Sequence, residues 1–222
     1  MPLKTKEKTS FHYKVQQGQP LQGVTAHHVM STDINGYSLL HYAVSYSKKD
    51  LLRDFLTING VSIDLQNTQN GETALHLACK EGNLDLVTYL LTNGANTAIR
   101  DQKGQPPIFY AAANSKAIKL IEVFLAKDPH ALEVTNSLGN TLIAYIVLNY
   151  ESGSSEEVLS YIATKADQSV MMKLQDEFIK WVAKNYEAEK ARVIIDRFND
   201  EFQKTKIQIG GISIKPKELT IY

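Results

Sequence analysis

The chain has 222 residues, of which 43% are hydrophobic, 24 are basic and 24 are acidic, so its net charge is zero. A chain of this length buries about 70% of its unfolded surface, enough for one domain with a small appendage. Zero net charge creates no field that attracts nucleic acid or an anionic membrane, so we expect no nucleic-acid partner. The single cysteine excludes an internal disulfide and fits a reducing compartment, from which we expect a cytoplasmic protein.

The N-terminal residues 1–32 carry little apolar pattern. The first 20 residues are polar, with Phe11, Tyr13 and Val15 alternating among them. We expect a partly ordered arm or a degenerate N-terminal cap. No apolar stretch follows the charged N-terminal residues, so we expect no cleavable secretory signal. The apolar run 142–148 is far too short to span a bilayer, so we expect no integral membrane segment.

A nine-residue segment recurs four times from residue 33 onward. Its clearest copy runs from Asn70 to Ala78 and reads NGETALHLA. The four copies are aligned on Gly36, Gly71, Gly104 and Gly139. These glycines stand 35, 33 and 35 residues apart. A repeat at such a period predicts a solenoid, which usually serves as a surface for another molecule.

The residue types of the repeated segment have structural reasons. A glycine after small polar residues suits a tight turn that needs a positive φ. Thr73, with Ser38 and Thr141 at the equivalent places, is a natural N-cap for a first helix. Leu75 and Ala78 lie on one side of that helix, and a second apolar helix follows. Each unit lacks a core of its own, so neighbouring units must stack to bury their apolar faces.

The period and the segment resemble the ankyrin-repeat family. The resemblance implies an all-α ankyrin-repeat solenoid of about four helix-turn-helix repeats. We place these repeats at 33–67, 68–100, 101–135 and 136–167. The second copy matches the family pattern most closely, the first matches it well and the third less so. In the fourth copy Ala144 stands where the pattern has a histidine.

The C-terminal part departs from the repeat pattern. Apolar residues recur at helical spacing within 168–204, which predicts a longer C-terminal helical cap over the open end of the solenoid. The alternative is a module for dimerisation or another activity. Residues 206–215 alternate apolar and polar on both sides of a Gly-Gly pair, so we expect a tail or a short β-hairpin at 205–222. That segment would pack on the helices, stay disordered, or pair with a partner's strand edge.

The reactive residue types fall at structural positions. In ankyrin repeats the positions of His41 and His76 carry an imidazole that hydrogen-bonds backbone between neighbouring turns. Cys79 falls at a small apolar position of a helix and is typical of a buried filler. His27 and His28 have no Cys, Asp or Glu at ligand spacing. We therefore predict no catalytic residue, no cofactor and no metal.

The resemblance also implies where a partner binds, because turn tips and the exposed side of the first helices line a concave face in ankyrin stacks. Tyr37 and Tyr46 are candidate anchors, since tyrosines are typical of interfaces. Alternatively, Tyr37 covers the adjacent cap and Tyr46 is an ordinary surface residue. The charges nearly balance, so we expect binding to depend weakly on salt. The predicted partner-binding residues are Ile34, Asn35, Tyr37, Tyr46, Gln69, Asn70, Glu72, Lys80, Glu81, Gln102, Lys103, Gln105, Asn114, Leu138 and Asn140.

These features together predict a non-catalytic module that binds a protein partner and is monomeric alone. A narrower hypothesis is a small effector that an intracellular bacterial pathogen secretes into host cells, with the C-terminal tail as an export signal. A third is an enzymatic or dimerisation activity in residues 168–222. That activity would have to use Asp176, Glu177 or His130, which form no recognisable constellation.

Overall fold

The computed structural model describes residues 5–148 and, beyond them, positions 158, 161–162, 179–180, 182–183, 187–193 and 195–196. The chain divides into two compact units, Met1–Ala131 and Leu132–Tyr222. Within 5–148 the secondary structure is helical, apart from a single antiparallel bridge between Thr135 and Thr141. The prediction of an all-α protein is confirmed for this part of the chain.

The helices are short, as the repeat pattern predicts. A 3₁₀ turn, Ala131–Glu133, lies between the last two of them. The α-helices are α1 (Thr5–Gln17), α2 (Ala26–Met30), α3 (Leu39–Ser45), α4 (Lys49–Thr57), α5 (Ala74–Glu81), α6 (Leu84–Thr92), α7 (Pro107–Ala112), α8 (Ala117–Lys127) and α9 (Leu142–Leu148).

In the first unit these helices stack as hairpins. α3 packs on α4, α5 on α6 and α7 on α8, which forms three helical pairs. Neighbouring pairs then pack through their first helices, α3 on α5 and α5 on α7, and α6 also packs on α8. This arrangement is the predicted solenoid, in which each pair buries its apolar faces against the next.

The helix ends follow from their capping residues. The Ser38 and Thr73 hydroxyls accept hydrogen bonds from the amides three residues later and so begin α3 and α5. Pro107 occupies the first turn of α7, where no amide hydrogen is needed. α5 ends at Gly82, which adopts the left-handed conformation with φ of 66°.

The N-terminal residues form helices that join this stack. α1 packs on α3, and α2 also packs on α3. Phe11 and Val15 lie four residues apart and therefore share one face of α1, on which Val15 is fully buried. Tyr13 lies between them in sequence and is 60% exposed. Of these three residues, Phe11 and Val15 thus belong to the packed face of α1, and Tyr13 does not.

Part of the predicted C-terminal structure lies outside the described residues. The described positions between 179 and 196 are helical, except residue 187, and Val182, Ala191 and Ile195 are buried. The remainder of the predicted cap at 168–204, and the tail or hairpin at 205–222, stay predictions.

The leucines of the second repeat form its core, as predicted, since Leu75 is 1% exposed and Leu90 is fully buried. We expect Leu75→Ala or Leu90→Ala to lower the free energy of unfolding by about 2–5 kcal/mol, because each leaves a cavity. Leu138→Ala is the control, since Leu138 is 76% exposed and its truncation should change stability by less than about 0.5 kcal/mol. Urea titrations measure all three. Equal effects at Leu75 and Leu138 would contradict the core assignment.

Candidate protein-binding face

The turns before the first helices are each built on one acidic or amide side chain. The Asp33 carboxylate oxygen Oδ1 accepts hydrogen bonds from the amides of Asn35 and Tyr37, both at 2.9 Å. Such a side chain replaces a missing backbone partner and fixes the turn. The side-chain oxygens of Asn67, Asp101 and Asn136 play the same part in the next three turns.

Neighbouring turns of the first unit are joined to one another. The Thr68 amide donates to the Gly36 carbonyl at 3.3 Å, and the Gln102 amide donates to the Asn70 carbonyl at 2.8 Å. The Asn67 side chain adds a bond to the Asn35 carbonyl at 3.2 Å. These bonds satisfy backbone groups that would otherwise need water, and they align the turn tips in a row.

Two of the turn glycines, Gly36 and Gly71, lie where the next turn approaches closely. Gly36 has φ of 78°, and a Cβ there would lie 2.7 Å from the Gln69 amide nitrogen. Gly94 has a similar φ of 86°, but a Cβ there would meet nothing within 4 Å. Substitution at Gly94 therefore introduces backbone strain alone, whereas substitution at Gly36 introduces both strain and a clash with the next turn.

We expect Gly94→Ala to lower the free energy of unfolding by about 1 kcal/mol, the strain of an alanine in the left-handed region. Gly36→Ala adds the clash with the next turn and should lower it by about 3 kcal/mol in total. Thermal and urea unfolding of both variants measure the difference. Equal losses would show that the turns do not approach as described.

Buried histidines link the first two of these helices, α3 and α5, to the next repeat. His41 Nε2 lies 3.1 Å from the Glu72 carbonyl oxygen, and His76 Nε2 lies 3.0 Å from that of Gln105. Their Nδ1 atoms lie 2.8 Å from the Ser38 and Thr73 hydroxyls. The predicted structural role of both histidines is confirmed, since each imidazole bonds a backbone carbonyl one repeat away.

Burial lowers the pKa of His41 and His76, although the carbonyl bonds partly oppose this shift. The unfolded chain, with ordinary histidines, therefore binds more protons than the folded chain below about pH 6.5. The contribution of these two neutral histidines to the free energy of unfolding is therefore fully present above that pH. It is lost as the pH falls towards their pKa values in the folded protein.

We expect the free energy of unfolding to fall between pH 7.5 and pH 5.5, by at most about 1.4 kcal/mol per pH unit for each histidine. His76→Gln should be less stable at pH 7.5 and should show a smaller loss on acidification. Urea titrations at the two pH values measure both effects. A wild type whose stability does not change over this range would contradict the assignment.

The predicted partner-binding residues differ in exposure. Ile34 is 87% and Leu138 is 76% exposed. Asn35, Gln69, Lys80, Glu81, Gln102 and Lys103 are also exposed. Tyr37, Tyr46, Asn70, Gln105 and Asn114 are partly exposed. The first unit thus carries an exposed face, hereafter the inner face, made of the turn tips at 33–37, 67–72 and 101–105 and the open side of α3, α5 and α7.

Two predicted contact residues are buried instead. Glu72 is 3% exposed, because its carboxylate accepts hydrogen bonds from the Lys80 ammonium and from the side-chain amide of Asn70, both at 3.1 Å. Asn140, in the second unit, is 8% exposed, and its backbone N–H donates to Asn136 Oδ1 at 2.9 Å. In both repeats the residue after the turn glycine is thus buried under the turn. We leave these two residues out of the contact set.

Sequence reasoning missed the residue at the centre of the first repeat's aromatic cluster, which is Tyr42. Its ring lies 5.8 Å from that of Tyr37, 5.9 Å from that of Tyr46 and 4.5 Å from that of His12. Its hydroxyl donates to Asp33 Oδ2 at 2.6 Å. Tyr42 and Tyr46 stand four residues apart on one helix, a spacing that could have revealed the stack.

The Asp33–Tyr42 bond changes the titration of both groups. Burial acts to raise the pKa of Asp33, but the bonds from Tyr42 and from two backbone amides outweigh it and lower that pKa. Burial, together with the bond to Asp33, raises the pKa of Tyr42. The pair therefore consists of a carboxylate and a neutral phenol at neutral pH, which fixes the ring cluster against the turn.

The same arrangement recurs two repeats later. The Tyr110 hydroxyl donates to Asp101 Oδ2 at 2.5 Å, and both pairs are separated by nine residues. The Lys80 ammonium lies 5.9 Å from the centre of the Tyr110 ring. A ring and the Glu72 carboxylate therefore hold this cation in place.

A polar cleft of about 340 Å³ lies beside the ends of α3 and α5. Lys116 donates to the Gly82 carbonyl at 3.1 Å, and the Asn83 amide donates to the Ser47 hydroxyl at 2.9 Å. Burial raises the pKa of Glu81. The cleft is lined by Ser47, Glu81, Gly82, Asn83, Leu84, Asp85 and Lys116.

The described residues offer little reactive chemistry. They contain no group of three or more His, Cys, Asp or Glu side chains that could hold a metal ion. Cys79 is fully buried, and burial raises the pKa of its thiol, which disfavours the nucleophilic thiolate. His28 Nδ1 lies 2.8 Å from the Thr25 hydroxyl in a helix cap. Within the same residues, no helix has the length and apolar character needed to cross a membrane.

Comparison with known proteins identifies the repeats. The ankyrin-repeat family, as a block of three copies, matches residues 11–101 and 40–136, which together make up more than half of the chain. The chain belongs to the ankyrin-repeat family. Ankyrin repeats form protein–protein interaction modules and are in general non-catalytic.

Individual ankyrin-containing relatives match over limited segments. The chain is 35% identical over 112 residues to glycerophosphocholine phosphodiesterase GDE1 of Eremothecium gossypii, covering 49% of this chain and 8% of that protein. It is 35% identical over 101 residues to phosphocholine transferase AnkX of Legionella pneumophila, covering 44% and 10%. It is 43% identical over 53 residues to mouse ankyrin repeat domain-containing protein 40, covering 24% and 15%. The matched segment is thus a small part of each relative.

Proposed function

We propose that the protein binds a partner protein on the inner face and performs no catalysis of its own. The observation that carries this proposal is the row of tied turn tips, which presents exposed side chains such as Ile34 on a backbone fixed by hydrogen bonds. A preorganised surface loses little conformational entropy when a partner binds, so its contacts contribute more fully to affinity.

The proposed anchors lie at the N-terminal end of the inner face. Ile34 is an apolar tip, while Tyr37 and Tyr46 are partly exposed rings supported by Tyr42. Rigid aromatic residues of this kind often supply most of the energy of an interface. We further propose the repeat boundaries given above, with residues 1–32 as an N-terminal cap, because α1 packs on α3.

The effector hypothesis remains a second proposal. Its support is the similarity to AnkX of Legionella pneumophila, which extends over 44% of this chain. Under this proposal the partner is a host protein, and residues 205–222 act as an export signal. A translocation assay tests it, since removal of 205–222 should abolish delivery, and unchanged delivery would reject the signal. An enzymatic or dimerisation activity in residues 168–222 stays a third hypothesis.

Affinity capture tests the main proposal, with the full chain exposed to candidate host and bacterial lysates. Ile34→Asp places a charge on an exposed tip and should leave folding intact. The Tyr37→Ala, Tyr46→Ala double variant removes both rings. We expect each to reduce captured partner by about tenfold.

Tyr89→Ala is the matched control, because Tyr89 is a partly exposed tyrosine on α6, outside the inner face. It should capture as much partner as the wild type. Thermal melts check that all variants are folded. Capture that is unaffected by the inner-face variants, or lost equally in Tyr89→Ala, would contradict the proposal.

A further inference from the structure

The chain itself shows how the inner face holds a cation. The Lys80 ammonium lies 5.9 Å from the centre of the Tyr110 ring and 3.1 Å from Glu72 Oε1. The ring attracts the charge through its quadrupole, and the carboxylate neutralises it. An aromatic face beside a carboxylate is thus a working cation site in this protein.

The ring of Tyr46 in the first repeat and the carboxylate of Glu81 in the second offer the same two kinds of group, with no cation over the ring in the part of the chain that the structure describes. One face of the Tyr46 ring stacks on Tyr42, with 17° between the ring planes, and Tyr46 remains partly exposed. Among the described residues, no lysine or arginine side chain lies over Tyr46. The ammonium groups of Lys80 and Lys49 lie over the rings of Tyr110 and Tyr89 instead.

The carboxylate on the neighbouring repeat is that of Glu81. Burial raises the pKa of this carboxyl, whereas the side chain of Ser45, the residue that precedes Tyr46, and the Lys80 ammonium both act to lower it. Glu81 also occupies the position equivalent to Tyr46 in the next repeat, 35 residues later, on a helix that packs against α3. Tyr46, the C-cap residue of α3, and Glu81, the last residue of α5, therefore lie at the same end of two neighbouring first helices.

The polar cleft provides room for a side chain at this place. Ser47 and Glu81 both line it, and Ser47 follows Tyr46 directly. Its volume of about 340 Å³ is near the lower limit of ligand pockets, so it suits a single side chain and not a large ligand. The cleft is lined by two acidic residues, Glu81 and Asp85, and by one basic residue, Lys116, so its lining carries a net negative charge. The Lys116 ammonium also donates to the Gly82 carbonyl.

We propose that Tyr46, Glu81 and the adjoining cleft bind an arginine side chain of a partner protein. Arginine fits better than lysine because its planar guanidinium can stack on the ring while its N–H groups reach the carboxylate and the cleft. The inference rests on the proposed function and names the partner's chemistry at that face.

Titration of the ¹⁵N-labelled full chain with short peptides tests this site. The probe is acetyl-Gly-Gly-Arg-Gly-Gly-amide, and the matched peptides carry citrulline, a neutral isostere, or lysine in place of arginine. We expect the arginine peptide to shift the amide signals of residues 45–47 and 80–85. The citrulline peptide should bind about tenfold more weakly, because it lacks the charge, and the lysine peptide should lie between them.

Variants assign the binding to the two groups. Tyr46→Leu and Glu81→Gln should each weaken the arginine peptide by about fivefold, while Tyr46→Phe keeps the ring and should bind within about twofold of the wild type. Tyr89→Leu is the control and should bind as the wild type does. Equal binding of the citrulline peptide, or equal losses in Tyr89→Leu, would overturn the proposal.

This outcome is separable from that of the capture experiment. A partner whose capture depends on Ile34 but is unaffected by Glu81→Gln would support binding on the inner face and reject the arginine site. Specific binding of the peptide, together with capture that no inner-face variant alters, would reject the proposed function and keep the arginine site as a local property.

Discussion

The bond between a buried imidazole and a carbonyl of the next repeat is the interaction on which the first unit depends. A helical pair of this size cannot bury both apolar faces alone, so its stability lies in its contacts with neighbours. His41 and His76 direct those contacts, because each joins its own N-cap to the following turn. The same bonds fix the positions of the turn tips, so the stacking that stabilises the protein also shapes its binding face.

Local chemistry explains how much of this could be predicted. Four residues of the second repeat each meet a local structural requirement, so their types and spacing predict the fold. Gly71 forms the turn, Thr73 caps the helix, Leu75 fills the core and His76 bonds to the next repeat. The exposure of the variable positions depends on neighbours that the repeat pattern does not specify. Glu72 is buried because Lys80 and Asn70 bind its carboxylate, and these partners of the same repeat stand at positions that the repeat pattern leaves variable.

The aromatic cluster shows a different limit. The sequence offers Tyr37 and Tyr46 as separate candidate anchors, whereas the structure makes Tyr42 the centre that contacts both rings. Its bond to Asp33 couples the first helix to the turn nine residues earlier, and Tyr110 repeats this with Asp101. Because Tyr46 stacks on Tyr42, and Tyr42 is fixed by its bond to Asp33, the Tyr46 ring is restrained before a partner binds. This restraint lowers the conformational entropy that binding would cost. This rigidity connects the packing of the repeats to the proposed recognition of a partner.

Native-state hydrogen exchange tests most directly whether the turns are fixed by their neighbours. The account predicts that the amides of Thr68 and Gln102, which donate to carbonyls of the preceding turn, exchange nearly as slowly as the core amides of α5. Exchange of these two amides at the rate of a free loop, while α5 stays protected, would contradict it. The turn tips would then be mobile, and the inner face would not be preorganised.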